Sequence, residues 1–266
     1  MKKTLFIGLA LGLGVFALSL SSGTAMANTT GGEGIVGSSH DLSAPGYGDA
    51  QSRICVFCHH PHNAHKTDAN LTYSPLWNHA VTTNAGNFTT YDNGNGPTSG
   101  RNALNATIGQ PGGVSLLCLS CHDGSVALNA YSNTQLAGGS PAGKADEFIN
   151  SGVIHPTTNA YTIGAGGDLS NHHPIGFNYY EAMNADPEIA NVTKDMTSTT
   201  KIKDLLYGGT QFECVSCHDV HNTQNAAGAE RFLWKSNDHS NFCLTCHEKG
   251  STHTNPNWSV ATATAP

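Results

Sequence analysis

The sequence predicts a chain that is mostly coil, with short helices and little β-structure. Of its 266 residues, 30 are glycine, 12% are charged and 38% are hydrophobic, which is little apolar material for a core of this length. All eight cysteines fall in four copies of one five-residue motif. The segments between the copies are rich in Gly, Asn, Thr and Ser, which favour loops. We therefore expect groups bound at the motifs to replace much of the core.

The repeated motif is C-x-x-C-H, at residues 55–59, 118–122, 214–218 and 243–247, numbered motifs 1 to 4. It is the attachment signature of c-type haem. Two thiols three residues apart lie on one turn and reach the two vinyl groups of a porphyrin, and the next histidine binds the iron. Zinc knuckles and redox dithiols also contain C-x-x-C. With 15 histidines in the chain, however, a histidine would follow any given C-x-x-C by chance only about one time in eighteen, and here a histidine follows all four.

The predicted fold class is therefore a multihaem cytochrome c, with coil and short helices wrapped around a stack of four covalent haems. The predicted attachment residues are Cys55, Cys58, Cys118, Cys121, Cys214, Cys217, Cys243 and Cys246. The predicted proximal iron ligands are His59, His122, His218 and His247.

Residues 1–27 are predicted to be a secretory signal peptide. Lys2 and Lys3 form its charged region, 5–20 its apolar region, and cleavage is expected after Ala27. The alternative is an uncleaved membrane anchor. No later stretch is apolar enough to span a bilayer, so we expect no membrane span after signal removal. We expect secretion through the periplasm to the cell surface or beyond.

The charge balance excludes two classes of partner. The net charge is −7, with 19 acidic against 12 basic residues. Nucleic acids and anionic lipid surfaces both require a basic face, so neither is an expected partner. Export would favour disulfides, but all the cysteines are already used by the motifs.

The order of the motifs predicts a duplicated two-haem unit. Motifs 1 and 3 are each followed by a further histidine and an asparagine, whereas motifs 2 and 4 are followed by an acid and then a glycine. The pairs Leu76-Trp77 and Leu233-Trp234 are expected to match between the copies. The predicted units are 28–129 and 171–266, the second including a C-terminal tail, with a loop-rich connection at 130–170, all in one haem-cored domain. A helix is expected over 186–203.

Four irons require four more axial ligands. Beyond the signal the only methionines are Met183 and Met196, so histidine pairs are expected at all four sites, with low reduction potentials. His62 and His221 each follow a proximal histidine by three residues, on the same side of that porphyrin. Neither reaches the far side of its own iron, so each is expected to bind a neighbouring haem. The alternative is a surface histidine that bonds to a haem propionate.

The remaining two ligands are expected at equivalent points of the two copies. His40 and His173 are the chosen pair, because both accompany an Asp-Leu-Ser element. His79 and His239, which follow the Leu-Trp pairs, are the competing choice. His172 lies beside His173 and leaves that assignment open by one residue, and His155 is also left open.

These residues resemble the tetrahaem outer-surface c-type cytochromes of metal-reducing bacteria, which polymerise into extracellular nanowires. The matching stretches are 39–43, 55–62, 75–78, 117–124, 173–175, 214–222 and 242–247. The resemblance implies a loop-rich fold around a continuous haem stack. It also implies that one iron per subunit takes a histidine from the next subunit, and in this chain that donor would be His62. His172 stands where an acid would be expected in such a protein.

The expected function is an electron conduit that passes electrons along a filament to extracellular acceptors such as metal oxides. The expected partners are head-to-tail copies of the chain, other redox proteins and those acceptors. A monomeric periplasmic electron shuttle is the alternative. An enzyme such as a nitrite or sulfur-oxyanion reductase would need an open axial position beside substrate-binding groups. Nothing in the sequence indicates such a site, so no enzymatic activity is expected.

The first testable prediction concerns haem stoichiometry. Because all eight cysteines belong to the four motifs, the intact mass after signal removal should exceed that of the polypeptide by four haems. Fewer than four haems on fully matured protein, or bound zinc, would contradict the assignment.

Overall fold

The computed structural model describes residues 34–36, 38–42, 53–60, 64, 76–91, 106–128, 130–131, 161–221 and 232–248. The described residues contain four α-helices: α1 (Gly113–His122), α2 (Tyr179–Ala185), α3 (Cys214–Cys217) and α4 (Cys243–Cys246). They also contain two strands, β1 (Phe177–Asn178) and β2 (Gln211–Phe212). Short 3₁₀ helices cover Cys55–Phe57, Ala165–Gly167, Ile202–Leu205 and Asp238–Ser240. The prediction of a mostly coiled chain with short helices and little β-structure is confirmed.

Helix α1 is the longest described element, and its two ends are set by backbone geometry. Gly112 before it is extended, with φ −122° and ψ 174°. Its end is closed by Asp123, whose N–H donates to the Leu119 carbonyl at 3.0 Å, and by Gly124 in a left-handed conformation with φ 70°. A left-handed glycine is a common way to stop a helix. Motif 2 therefore forms the last five residues of α1.

A small antiparallel sheet links distant parts of the chain. Phe177 pairs with Phe212, and their rings stack with centroids 5.2 Å apart. On its other side Phe177 forms a bridge with Ile108. Because α2 begins directly after β1 and α3 begins one residue after β2, this pairing positions motif 3 against residues from the first half of the chain.

Among the described residues, the apolar core consists of four small clusters instead of one continuous interior. The largest surrounds the sheet and α2, and a second lies under α1. The members of the largest are Phe177, Tyr179, Tyr180, Met183, Ala190, Val192, Ile202, Leu206 and Phe212. The two smallest each have three buried members, one beside motif 1 and the other beside motifs 3 and 4. This distribution fits a chain in which bound groups fill the space between clusters.

The predicted helix over 186–203 is wrong. The helix in this region is α2, which ends at Ala185, and Asp186 after it is extended with φ −125° and ψ 112°. Pro187 explains the end, since the residue before a proline is disfavoured in the helical region. Beyond it the chain turns repeatedly, with the Asn191 side chain accepting from the Thr193 N–H at 2.9 Å.

The backbone follows the same path after motif 1 and after motif 3. The His60 N–H donates to the Leu76 carbonyl at 3.0 Å, and the Asp219 N–H donates to the Phe232 carbonyl at 2.9 Å. Both acceptor residues have a positive φ, 55° and 62°, which is uncommon for residues other than glycine. Leu76 and Phe232 are therefore structural counterparts.

Because Leu76 corresponds to Phe232, the two Leu-Trp pairs are out of alignment by one residue. Trp77 forms a bridge with His59, and the residue that forms the same bridge with His218 is Leu233. Trp234 is one position further along. The predicted equivalence of the two tryptophans is wrong, because backbone pairing sets the register regardless of side-chain type.

Three predicted segments lie largely or wholly outside the described residues. They are the signal peptide at 1–27, most of the connection at 130–170, and the C-terminal tail beyond 248. Where the connection is described, at 130–131 and 161–170, it has turns and one short 3₁₀ helix. Among the described residues, none of the helices has the length and apolarity that a membrane crossing requires.

Substitution of Gly176 by alanine should destabilise the fold. Gly176 has φ +77°, and a Cβ there would lie 2.8 Å from the Gln110 carbonyl oxygen. Gly86 offers a matched control, because it has φ +76° and no atom within 4 Å of its Cβ position. Gly86→Ala should cost about 1 kcal/mol, from the left-handed conformation alone. Gly176→Ala should cost at least about 2 kcal/mol, since the clash is added.

The measurement is guanidinium unfolding of the haem-loaded protein followed by far-UV circular dichroism. Equal shifts of the two unfolding midpoints would show that the close approach of residues 109–110 to Gly176 does not contribute.

Candidate haem-binding site

Each of the four motifs lies on a helical turn. The N–H groups of His59, His218 and His247 donate to the first cysteine carbonyl of their own motif at 2.8, 3.0 and 3.0 Å. Motif 2 forms the end of α1. On such a turn the two thiols and the histidine, at positions i, i+3 and i+4, share one face. All eight cysteines are free of disulfides, so both thiols of every motif are available for thioether bonds.

The four motifs follow one another in space in the order of the sequence. Cysteine side chains interact between each motif and the next; the pairs are Cys58 with Cys121, Cys118 with Cys214, and Cys217 with Cys246. Burial, together with the neighbouring Cys121, raises the pKa of the Cys58 thiol to about 12. The attachment points therefore form a continuous series from motif 1 to motif 4.

Three proximal histidines face a second histidine from elsewhere in the chain. The ring centroids of His59 and His221 are 6.2 Å apart, those of His122 and His40 are 5.9 Å apart, and those of His247 and His173 are 6.1 Å apart. Two imidazoles bound on opposite sides of one metal atom have centroids about 6 Å apart, since each metal–nitrogen bond is about 2 Å long. The described histidines thus fit three haem irons with two histidines each.

The ring nitrogens in these pairs are oriented by their surroundings. Nδ1 of His122 lies 2.8 Å from the Tyr161 carbonyl oxygen, and Nδ1 of His173 lies 2.9 Å from that of Pro174. A hydrogen bond at Nδ1 places the proton there and leaves Nε2 as the nitrogen that can bind a metal. His40 is held by the Phe232 ring, which stacks on it at 4.9 Å.

The His40 ring is suited to bind a metal as neutral imidazole. Burial, together with the nearby His122, His218 and His221, lowers its pKa to about 4. His221 differs, because the Asp219 carboxylate beside it raises its pKa. Its Nδ1 lies 3.7 Å from that carboxylate, so the acid also orients the ring.

The competing histidines are placed differently. His79 is fully buried, and its two ring nitrogens lie 2.8 and 3.0 Å from the carbonyl oxygens of Ala80 and Ala127. His239 is 92% exposed beside Asp238. Nε2 of His172 accepts from the Gly164 N–H at 3.3 Å. The structure brings none of these three rings against a proximal histidine in the contacts it describes, in contrast to His40 and His173. His62 and His155 lie outside the described residues.

The two methionines are buried in apolar clusters. Met183 packs with residues of α2 and the sheet, and Met196 packs with Leu205 and Phe242. Both side chains are at least nine-tenths buried, which accounts for them as core residues.

Buried polar atoms beside motif 1 also fit a bound cofactor. Nε1 of Trp77 and both side-chain polar atoms of Asn78 are buried without a hydrogen-bond partner in the described protein. The Asn78 N–H donates to the Cys58 carbonyl at 3.1 Å, so these atoms lie next to the attachment site. Buried polar groups are rarely left unsatisfied, and the carboxylates of haem propionates are suitable acceptors for the N–H donors of Trp77 and Asn78.

Glu213 is a buried acid that the sequence analysis did not single out. It precedes motif 3 directly and is 2% exposed. Its carboxylate accepts from the Ser115 hydroxyl at 2.5 Å and from the Gly112 N–H at 3.1 Å. Ser115 in turn accepts from the Cys214 N–H at 2.9 Å. The acid therefore joins the start of α1 to the start of α3. In the sequence, the only feature that distinguishes Glu213 from other acidic residues is its position directly before a C-x-x-C-H motif.

Asp123, directly after motif 2, is also buried, with 3% exposure. It accepts from the Thr82 hydroxyl, from Nδ2 of Asn84 at 2.9 Å and from the Ser125 N–H at 2.8 Å. All three donors are neutral. Burial, reinforced by the negative charge of Asp123, raises the pKa of the Cys121 thiol to about 12, so the charge of this acid acts at the attachment site.

The acid after motif 4 has a different environment. Oε1 of Glu248 lies 2.9 Å from Nζ of Lys194 in an ion pair. Burial raises the pKa of the Cys246 thiol, and the positive charges of Lys194 and Lys235 oppose that rise. Two cations therefore act on this attachment site.

A family model described as a doubled CXXCH motif matches residues 209–252, which include motifs 3 and 4. No curated protein matches the chain. The paired motif indicates a multihaem c-type cytochrome with covalently bound haem c, and electron transfer as its function.

Loss of the Glu213 carboxylate should remove part of the pH dependence of stability. Burial raises its pKa from 4.5 to about 7, so between these values the unfolded chain is ionised while the folded chain keeps the proton. Folding stability therefore falls as pH rises through this window, by about 3 kcal/mol in total. Glu213→Gln cannot ionise and should lack this decrease.

The measurement compares guanidinium unfolding of the haem-loaded protein at about pH 5 and about pH 8. Glu181→Gln is the control, because Glu181 is exposed on α2. If wild type and Glu213→Gln lose the same stability between the two pH values, the buried acid does not titrate as described.

Proposed function

We propose that this multihaem c-type cytochrome carries four haems and passes electrons along a filament of its own copies to extracellular acceptors such as metal oxides. Haem c supplies the one-electron chemistry when bound. The residues of the chain attach the cofactors, provide the axial nitrogens and exclude water. The predicted signal peptide supports placement outside the cell, at its surface or beyond.

The spatial order of the attachment points supports a conduit. Thiols of successive motifs interact at all three steps from motif 1 to motif 4. Cofactors anchored at these points would be neighbours along one line, with an end at motif 1 and another at motif 4. A line with two ends suits transfer from one copy to the next.

The observation that carries the filament proposal is the pairing of His59 with His221, 6.2 Å apart. His221 follows motif 3, so the histidine after a motif serves the site two motifs earlier. His62 has the equivalent position after motif 1. The chain has no motif two places before motif 1. Along a row of copies, the motif in that place would be motif 3 of the preceding copy. His62 would then bind the iron beside His218 of that copy.

A ligand donated in this way gives a head-to-tail contact. Such a contact is heterologous, because the donor and acceptor surfaces differ, and its repetition builds an open filament unless the rotation closes a ring. The remaining sites take both histidines from one chain: His59 with His221, His122 with His40, and His247 with His173. Histidine pairs at all four irons give low reduction potentials, since no thioether raises them.

The test is replacement of His62. His62→Ala should retain four covalent haems but leave one iron five-coordinate and high-spin, and filaments should be lost. His221→Ala is the matched variant, because it should also leave one high-spin iron but within a chain that still assembles. His65→Ala, three residues further on, should leave both properties unchanged.

Absorption and electron paramagnetic resonance spectra report the spin state, and negative-stain electron microscopy reports the assembly. A His62→Ala protein that still forms filaments with every iron low-spin would refute the junction. Wild-type protein that stays monomeric at all concentrations would favour a periplasmic shuttle instead.

A further inference from the structure

We propose that the haem at motif 4 has a higher reduction potential than the haem at motif 2, because Lys194 is paired with the acid after motif 4 whereas the described residues bring no cation to the buried acid after motif 2. This inference rests on the proposed function, in which each motif holds a haem with two histidine ligands. It adds to that proposal a direction within each subunit.

The comparison is between equivalent positions. Asp123 follows His122 directly, and Glu248 follows His247 directly. In the same position motif 1 has His60, and motif 3 has Asp219. Asp219 is 29% exposed and lies 3.7 Å from Nδ1 of His221, so solvent screens its charge more than that of a buried acid. Motifs 2 and 4 therefore mark the two extremes among the three acids.

At motif 2 the negative charge is buried, and no cation among the described residues contacts it. Asp123 is 3% exposed, and its hydrogen-bond donors are the side chains of Thr82 and Asn84 and the N–H of Ser125. Hydrogen bonds from neutral groups stabilise a carboxylate without cancelling its charge. Solvent screening is weak at a buried site, so the full negative charge acts on its neighbours.

At motif 4 the charge is reversed. Lys194 lies 2.9 Å from Glu248 and also donates from Nζ to the Leu244 carbonyl at 3.3 Å, inside the motif itself. Lys235 adds a second positive charge that acts on Cys246. Two cations and one anion leave a net positive environment at this attachment site.

The sign of the effect follows from the charge change on reduction. Reduction adds one electron to Fe(III) and gives Fe(II), so the site becomes more negative by one charge. A nearby anion opposes that step and lowers the potential, whereas nearby cations favour it and raise the potential. The effect grows with burial, because a low local dielectric strengthens Coulomb interactions.

The experiment is a spectroelectrochemical titration of the haem-loaded protein, with the electrode supplying the electrons through small mediators. Asp123→Asn should shift one of the four potentials upward. Lys194→Met combined with Lys235→Met should shift a different and higher potential downward. Asp204→Asn removes one negative charge and Lys201→Met removes one positive charge at exposed positions, and both should produce smaller shifts.

Different results would refute the proposed function and the difference in potential between motifs 2 and 4. Fewer than four haems, or high-spin iron in the assembled wild-type protein, would refute the proposed function before any titration. With four low-spin haems present, the inference is refuted if either variant shifts no component, or if the component that Asp123→Asn shifts lies above the one that the lysine variant shifts. Should Asp123→Asn fail to mature, a lysine variant that shifts no component downward still refutes the inference, because both lysines are partly exposed side chains outside the motifs.

Discussion

The hydrogen bonds among Ser115, Glu213 and the Cys214 N–H determine how the two halves of the chain meet. They join the first turn of α1 to the start of α3, at distances of 2.5 and 2.9 Å. Through this junction the first cysteine of motif 2 lies against the first cysteine of motif 3. The link from motif 2 to motif 3 is the one that crosses between the two predicted units, so the continuity of the whole series depends on it. A buried acid is a costly way to make such a link, and its raised pKa is the measure of that cost.

A chain with four small apolar clusters needs other sources of rigidity. The described residues show three of them: helical turns fixed by the motifs, a two-stranded sheet with stacked aromatic rings, and strained residues held in place by backbone pairing. Leu76 and Phe232 both adopt a positive φ at the same step after motifs 1 and 3. Such conformations persist only when the surrounding structure enforces them. Their recurrence at equivalent positions is structural support for a common origin of the two units.

Local features could be predicted from the sequence, and features set by tertiary packing could not. The helical turn at each motif follows from the spacing of its cysteines. His40 and His173 were distinguished from His79 and His239 by the repeated Asp-Leu-Ser element, and the ring contacts with His122 and His247 agree with that choice. The helix expected over 186–203 is wrong because Pro187 disfavours the helical conformation of the residue before it, and Asp186 is extended. The offset between Trp77 and Trp234 depends on backbone pairing across a turn, which side-chain identity does not reveal. Glu213 has no local pattern that indicates burial.

The facing rings of His59 and His221 have a consequence for how such a molecule is made. A polypeptide is synthesised from its N-terminus, so His59 exists long before His221 does. In the proposed ligation, the iron at motif 1 would gain its second nitrogen only after His221 has been made, whereas His40, the partner of His122, precedes motif 2 in the chain. During that interval the iron at motif 1 would have a free coordination position and could react with oxygen or other small ligands. Maturation in an environment poor in such ligands, or a chaperone that covers the first site, would protect the unfinished chain.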